Sequence, residues 1–425
     1  MLLTFAAMIT IKSFRALRPI EEEVHLIAAK PYDVLNSDEA REETADNPLS
    51  FLYVSKPEIN FPKGIDPYSD VVYVKGKEKF NELRNSGHLI RDEKPALYIY
   101  SLTMQGRTQT GIVCTSSVDD YLSEHIKKHE FTLPEKENDR IRHMYTKKAQ
   151  PGMVFLSYKQ NNKIDAVIDE EISKVVPLYD FADESGVRHV VRKLDNPETI
   201  QQLEGLFHQE VEYTYIADGH HRAAASAKVG LRLREEHPEN APDAPYNYFL
   251  SCLFPHDQLY IMDYNRVIKG LNGKDSRQVL EAVSKVFDVI GTDTTPISPT
   301  KKGQISMYLE HTWYLLQIPA AITSKEQDAV ANLDISIFTK YILQPILGIE
   351  NQRTDKRIDF VGGIRGIKVL RDRVDSGERD IAFAFFPVSM KELMAVADAG
   401  KTMPPKSTWF EPKLRSGLLI HLLEE

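Results

Sequence analysis

Tyr215-Ile216-Ala217-Asp218-Gly219-His220-His221-Arg222-Ala223-Ala224-Ala225 is the stretch from which the rest of the chain is read. Apolar and aromatic residues over 211–217 predict a short strand. The alanine-rich run over 223–234 predicts a helix. A strand that ends in a turn and opens a helix aims free backbone N–H groups, and the positive end of the helix, at one spot. That spot suits phosphate. Gly219 lets the backbone approach a ligand closely. Arg222 can hold two phosphate oxygens, and His220 or His221 can donate to others, one of the two histidines being structural. Asp218 can hold Mg²⁺, or a substrate hydroxyl or amine. The plain alternative is a polar turn in which Asp218 caps the helix and the histidines pack. Five functional positions in a row favour the site.

The bulk of the chain bounds what this turn can serve. At 425 residues it has room for two or three domains. Hydrophobic residues make up 42% and charged residues 27%, the balance of a folded globular protein. A net charge of −9 argues against non-specific nucleic-acid binding. The only two cysteines, Cys114 and Cys252, lie in apolar strand-like runs and read as buried thiols in a reducing cytoplasm. No apolar run reaches the roughly 20 residues of a membrane span. Residues 1–7 lack the positive start of a signal peptide, and Met8 is an alternative start.

Outward from the turn, strands and helices mix. Asn196 with Pro197 predicts a helix to 207. Hairpins are predicted for 96–103 with 107–115 and for 178–182 with 187–194. Further strands are expected at 71–74, 153–158, 164–168, 246–254, 258–263, 359–363 and 381–386. Helices are expected at 36–46, 77–85 and 276–289. Asn36 with Glu39, and Ser389 with Glu392, have capping-box spacing. The hairpins favour an α+β or mixed α/β fold over a wholly parallel doubly wound sheet. The expected division is 9–125, 126–270 with the turn, and 271–425.

Other residues are candidates to join the turn. His129 and Glu130 can both face a cleft if they lie in a loop, Glu130 as a general base and Thr132 beside them; the alternative for Glu130 is a surface ion pair. Tyr32 and Asp33 sit on an extended segment stiffened by Pro31 and could line a small-molecule pocket or form a structural turn. Arg266 ends a strand, where a ligand contact or a buried ion pair fits equally. Lys406, Ser407 and Thr408, fenced by Pro404, Pro405 and Pro412, could hold phosphate, although no GxxxxGK precedes them. Gly362 and Gly363, followed by Arg365, suggest a weaker site.

Six stretches resemble the bacterial and archaeal family of unknown function numbered ten-fifteen: FRALRP from Phe14, KPYDV from Lys30, HEFTL from His129, IADGHHRAAA from Ile216, RIDFVGG from Arg357 and PPKSTWFEPKL from Pro404. The DGHHR turn is also similar to the phosphate-binding turn of the ParB/sulfiredoxin superfamily, whose free serine kinases carry a closely similar turn. That resemblance implies a ParB/sulfiredoxin-like core with α/β regions on both sides. It places phosphates and metal on Asp218, His220, His221 and Arg222. Sulfiredoxin chemistry needs a cysteine in the turn, which this chain lacks. Glu130 is assigned by chemistry and not by that resemblance. The expectation is a cytoplasmic phosphotransfer enzyme acting on free L-serine, O-phosphoserine or a similar hydroxy amino acid, running as kinase or phosphatase. It would use Mg²⁺ with ATP, ADP or CTP. The catalytic set would be Glu130, Asp218 and His221, with Glu130 or Asp218 taking the hydroxyl proton. The rival class is a CTP- or ATP-binding switch without serine kinase activity.

Overall fold

The computed structural model describes residues 8–239, 242–323 and 328–424. The question of Met1 or Met8 as the start falls on 1–7, outside the described residues. The chain forms two compact units. Unit 1 joins Met1–Leu259 to Pro412–Glu425, and unit 2 is Tyr260–Glu411. The boundaries read from the sequence at 125 and 270 fall elsewhere.

Unit 1 is built on a mixed sheet of nine strands among the described residues. In chain order these are β1 (Ile11–Lys12), β2 (Leu97–Met104), β3 (Arg107–Ser117), β4 (Ile126–Lys127), β5 (Val154–Tyr158), β6 (Tyr179–Ala182), β7 (Arg188–Leu194), β8 (Thr214–Asp218) and β9 (Tyr248–Pro255). Their order across the sheet is β4-β8-β5-β9-β3-β2-β7-β6, with β1 on β3. Both predicted hairpins are present. In the first, Gln105 and Gly106 take φ of 51° and 78°, the two positive values that a two-residue hairpin turn with the strands' own twist requires. The core under this sheet gathers Ile99, Ile112, Leu156, Ile216, Phe249 and Leu253, each closed to solvent. Burying such side chains contributes roughly 1.5–3 kcal/mol apiece.

Two expected strands are helices. Residues 71–74 lie in the helix Asp70–Asn85, whose buried positions Val72, Tyr73, Gly76, Phe80 and Leu83 follow the helical repeat. Residues 164–168 lie in the helix Asn162–Lys174, which Asn161 caps by accepting from Lys163 and Ile164 N–H. There Ile164, Val167 and Ile168 are buried at i, i+3 and i+4. β-branched residues drew both stretches towards strand, and the spacing of the buried face decides otherwise. The capping boxes at Asn36 and Ser389 both form.

Unit 2 holds a six-stranded sheet among the described residues, ordered β11-β13-β12-β15-β10-β14. In chain order its strands are β10 (Tyr264–Ile268), β11 (Asp288–Asp293), β12 (Gln304–Leu309), β13 (Thr312–Gln317), β14 (Ile358–Gly362) and β15 (Ile381–Phe385). A short pair, Tyr260–Met262 with Trp409–Glu411, closes the unit, with Tyr260 opposite Glu411. The fold is thus mixed α/β in both units. Among the described residues no helix is long and apolar enough to cross a membrane.

Candidate functional site

The sheet order brings the two strongest sequence signals together. β4 runs parallel to β8, with Lys127 opposite Tyr215. The chain leaving β4 into residues 128–133 therefore emerges at the same edge as Asp218 leaving β8. β5 runs antiparallel to β8, so Met153, just before it, starts at that edge too. A bulge sits where β8 ends: Ile216 faces Leu156 and Asp218 faces Phe155, leaving Ala217 as the extra residue.

After the bulge Gly219 takes φ 96° and hands over to the helix α1 (His220–Glu236). A Cβ at 219 would lie 3.1 Å from both Nε and Cζ of Arg222, so glycine is required by conformation and by space. Gly219 at the N-cap supplies no side-chain cap, and the first turn has no acidic residue. The N–H groups of His220, His221 and Arg222 have no carbonyl a turn earlier to bond, as at any helix start. The donor set at the start of this 17-residue helix fits an anion.

The side chains divide between holding the turn and facing outward. Arg222 is 7% exposed; its guanidinium donates to the Met153 carbonyl and, at 3.4 Å, to Asp218 Oδ2. The expected two-oxygen phosphate clamp is thus occupied in bracing the turn to β5. Lys413 Nζ reaches the same Asp218 oxygen at 3.3 Å. Burial would raise the Asp218 carboxyl, but Lys413 and Arg222 outweigh it and hold it well below the usual carboxylate range. Such a carboxylate is a weak base, which moves Asp218 from the expected proton acceptor to a fixed negative charge.

His220 is buried and accepts from the His129 N–H at 3.4 Å, the two rings meeting edge to face at 4.5 Å. Burial and the His129 ring keep His220 neutral, and burial pulls His129 down to about 4 against the pull of Asp218. His220 is therefore the structural histidine of the pair. His221 is half-buried and accepts from the Leu133 N–H at 3.0 Å. The Glu130 carboxylate lies 3.8 Å from His220 Nδ1 and is 38% exposed. Thr132 donates to Glu137 at 2.9 Å, tying the loop to the helix α2 (Pro134–Lys147) rather than facing a ligand. The Arg140 guanidinium lies over the Tyr32 ring, its Cζ 3.6 Å from the ring centroid, and Asp33 is exposed. Arg140 in turn donates to Asp139 at 2.9 Å. Arg222 and Arg140 both act electrostatically on Tyr32, yet burial dominates and raises its hydroxyl.

The remaining expected residues belong to unit 2. Arg266 is 1% exposed and donates to the Tyr264 carbonyl and, at 3.0 Å, to the Pro405 carbonyl. It braces β10 to the proline loop and has no face left for substrate. Ser407 donates to the Pro404 carbonyl at 2.6 Å, while Lys406 is exposed with φ 54° and Thr408 is half-buried. Gly362 lies under the Trp409 ring, where a Cβ would come within 2.9 Å, and Gly363 abuts Asp263. These glycines serve close packing. Lys413 was absent from the sequence-derived site. Its signal was its place in the same PPKSTWFEPKL stretch that drew attention to Lys406.

For Mg²⁺, the chain offers Asp218 as the carboxylate at the turn, and phosphate oxygens commonly supply the remaining ligands. Among the described residues no group of three or more His, Cys, Asp or Glu is arranged to hold a metal unaided.

Fold and site together define a mixed α/β protein with an open, positively ended strand–turn–helix. The chain belongs to the family described as "Protein of unknown function (DUF1015)", whose model matches residues 11–336. No curated protein is detectably similar. Among solved structures the chain is similar to a mutant free serine kinase in complex with ADP, at 13% identity and TM-score 0.34, covering 73% of this chain and 93% of that one. It is similar to SbnI with a C-terminal truncation from Staphylococcus aureus, at 12% identity and TM-score 0.37, covering 72% and 85%. A conserved hypothetical protein from Pyrococcus furiosus shows 15% identity and TM-score 0.31, covering 72% and 93%.

Proposed function

We propose that the protein is a phosphotransfer enzyme acting on free L-serine, O-phosphoserine or a similar small hydroxy amino acid, with a nucleotide's phosphates at the start of α1. The observation that carries this reading is the start of α1, with no side-chain cap from Gly219 and no acid in its first turn, with Lys413 held on Asp218 and Glu130 3.8 Å from His220. The resemblance of the DGHHR turn to that of free serine kinases supplies the substrate class.

In this reading the N–H groups of 220–222 and the Lys413 ammonium bind phosphate oxygens, with His221 at their edge. Phosphoryl transfer depends chiefly on such positioning and on positive charge. Glu130 takes the proton of the attacking hydroxyl as that oxygen bonds to the terminal phosphorus and the bond to the leaving phosphate oxygen breaks. Asp218 orients Lys413 and is the residue that would hold Mg²⁺, which when bound neutralises phosphate charge. Tyr32, Asp33 and Arg140 would line the side where the amino acid enters. Lys406, Ser407, Thr408 and Arg266 are given no step.

The test is ³¹P NMR of the purified protein with ATP, ADP or CTP and Mg²⁺, with and without L-serine, and with O-phosphoserine. Serine-dependent appearance or loss of phosphoserine, abolished by Glu130→Gln, is expected. Nucleotide binding without any phosphoserine turnover would instead favour a nucleotide-responsive switch. The weak basicity of Asp218 is the observation on that side.

A further inference from the structure

Resting on the phosphotransfer reading above, we infer that Asp33 and Arg140 recognise the two charges of a free α-amino acid, Asp33 its ammonium and Arg140 its carboxylate. The Val34 N–H donates to the Pro31 carbonyl at 3.3 Å, which closes a tight turn with Tyr32 and Asp33 in its middle. Asp33 thus stands at an exposed tip, and its carboxylate has no hydrogen bond or ion pair among the described residues.

Arg140 reaches the same turn from α2, its guanidinium over the Tyr32 ring and its side chain only 11% exposed. Nε and Nη2 both donate to Asp139 Oδ2. The other Asp139 oxygen accepts from the Tyr73 hydroxyl at 2.8 Å. Asp139 is therefore filled by one edge of the guanidinium and a tyrosine, while Arg140 Nη1 meets no acceptor among the described residues. The planar fork of arginine serves two carboxylates from different edges, as the point charge of lysine does not. Burial would lower the Arg140 pKa, and Tyr32, Asp139 and Asp33 together outweigh it, so Asp33 lies within electrostatic reach of the guanidinium. After burial itself, the Tyr32 hydroxyl feels Arg140, Asp33, Arg222 and Asp139, which puts the group beside the turn that Arg222 braces. A free carboxylate and a guanidinium edge about one aromatic ring match the ammonium and carboxylate that an amino acid carries on a single carbon. Neither uses the side-chain hydroxyl, which stays available for phosphate. A serine within a peptide has lost both charges and is excluded.

Ligand-observed NMR titration of the full chain, with and without ADP, tests this with L-serine, with ethanolamine, which lacks the carboxylate, and with 3-hydroxypropanoate, which lacks the ammonium. The wild type should bind L-serine about tenfold or more tighter than either analogue. Arg140→Lys, which keeps a cation for Asp139, should weaken L-serine by about tenfold and leave ethanolamine unchanged. Asp33→Asn should weaken L-serine by about threefold, the smaller loss because that pair is exposed and screened, and leave 3-hydroxypropanoate unchanged. If the arginine variant does not fold, Asp33→Asn, at an exposed position, carries the same comparison. No L-serine binding by the wild type, equal binding of all the ligands, or variants with unchanged selectivity would overturn the assignment. L-serine bound with this selectivity but never phosphorylated would sink the phosphotransfer reading instead and leave the amino-acid site standing.

Discussion

Arg222 and Lys413 reach one oxygen of Asp218 from positions far apart in the chain, yet they should behave differently when removed. Arg222 is buried and also holds the Met153 carbonyl. Its loss leaves a carboxylate and a carbonyl without their donor, so Arg222→Ala should cost about 3 kcal/mol in a urea titration. Lys413 is more open. Lys413→Ala should cost less than Arg222→Ala in the same titration, because Asp218 keeps Arg222, while weakening ATP binding in calorimetry by tenfold or more. Equal stability losses would mean that Lys413 is a brace like Arg222. The residue types of the turn were legible in the sequence, but their division of labour was not. Arg222 read as a phosphate fork because nothing local to it names the carbonyl of Met153. Asp218 read as a base because its second cation comes from position 413.

At the scale of elements, the proposed phosphate site rests on the start of α1. An acid placed in its first turn would complement the helix dipole and repel phosphate at once. His221→Glu should therefore leave thermal stability unchanged or slightly raised, since Glu can still accept from the Leu133 N–H. Nucleotide binding should be lost. A variant that binds nucleotide as well as the wild type would remove phosphate from the start of α1. The strand–turn–helix was readable because glycine, acid and alanine run each signal a local conformation. Its partnership with residues 129–133 was not, because the parallel pairing of β4 with β8 joins stretches almost ninety positions apart. The two strands that became helices failed at the same scale: Val71 to Val74 and Ile164 to Ile168 favour strand locally, and the period of their buried faces overrides it.

For the whole molecule, buried histidines, His129, His220 and His421 among them, set an acid limit. Burial pulls His129 and His421 down to about 4 from an ordinary value near 6.5. Between those values the unfolded chain binds more protons than the folded one, so stability is full above pH 6.5 and falls as pH drops towards 4. Asp334 in unit 2, raised by burial to about 6, works in the opposite sense. The comparison is therefore wild type against His129→Phe, and the gap between urea midpoints at pH 7 and pH 5 should narrow in the variant, with His421 keeping part of it. An unchanged pH slope would reject the histidine as its source. Excision offers a second test. Tyr260 and Glu411 are paired neighbours, so the ends of unit 2 lie about 5 Å apart. Replacing 260–411 by about four Gly and Ser residues should leave a unit 1 that unfolds cooperatively. Stopping the chain at 411 should not, because it removes the fully buried Leu418, Leu419 and Ile420. The sequence suggested a single C-terminal region from 271 onward, since a return of the chain to an earlier unit leaves no local mark.

That return gives the protein a timetable. A ribosome making this chain releases the Asp218 turn long before Lys413. All of unit 2 is translated in between. Until then Asp218 has Arg222 as its near cation and the start of α1 lacks its lysine. A nascent chain halted within unit 2 would carry the turn without the charge that completes it, so competence for phosphate would arrive late in synthesis.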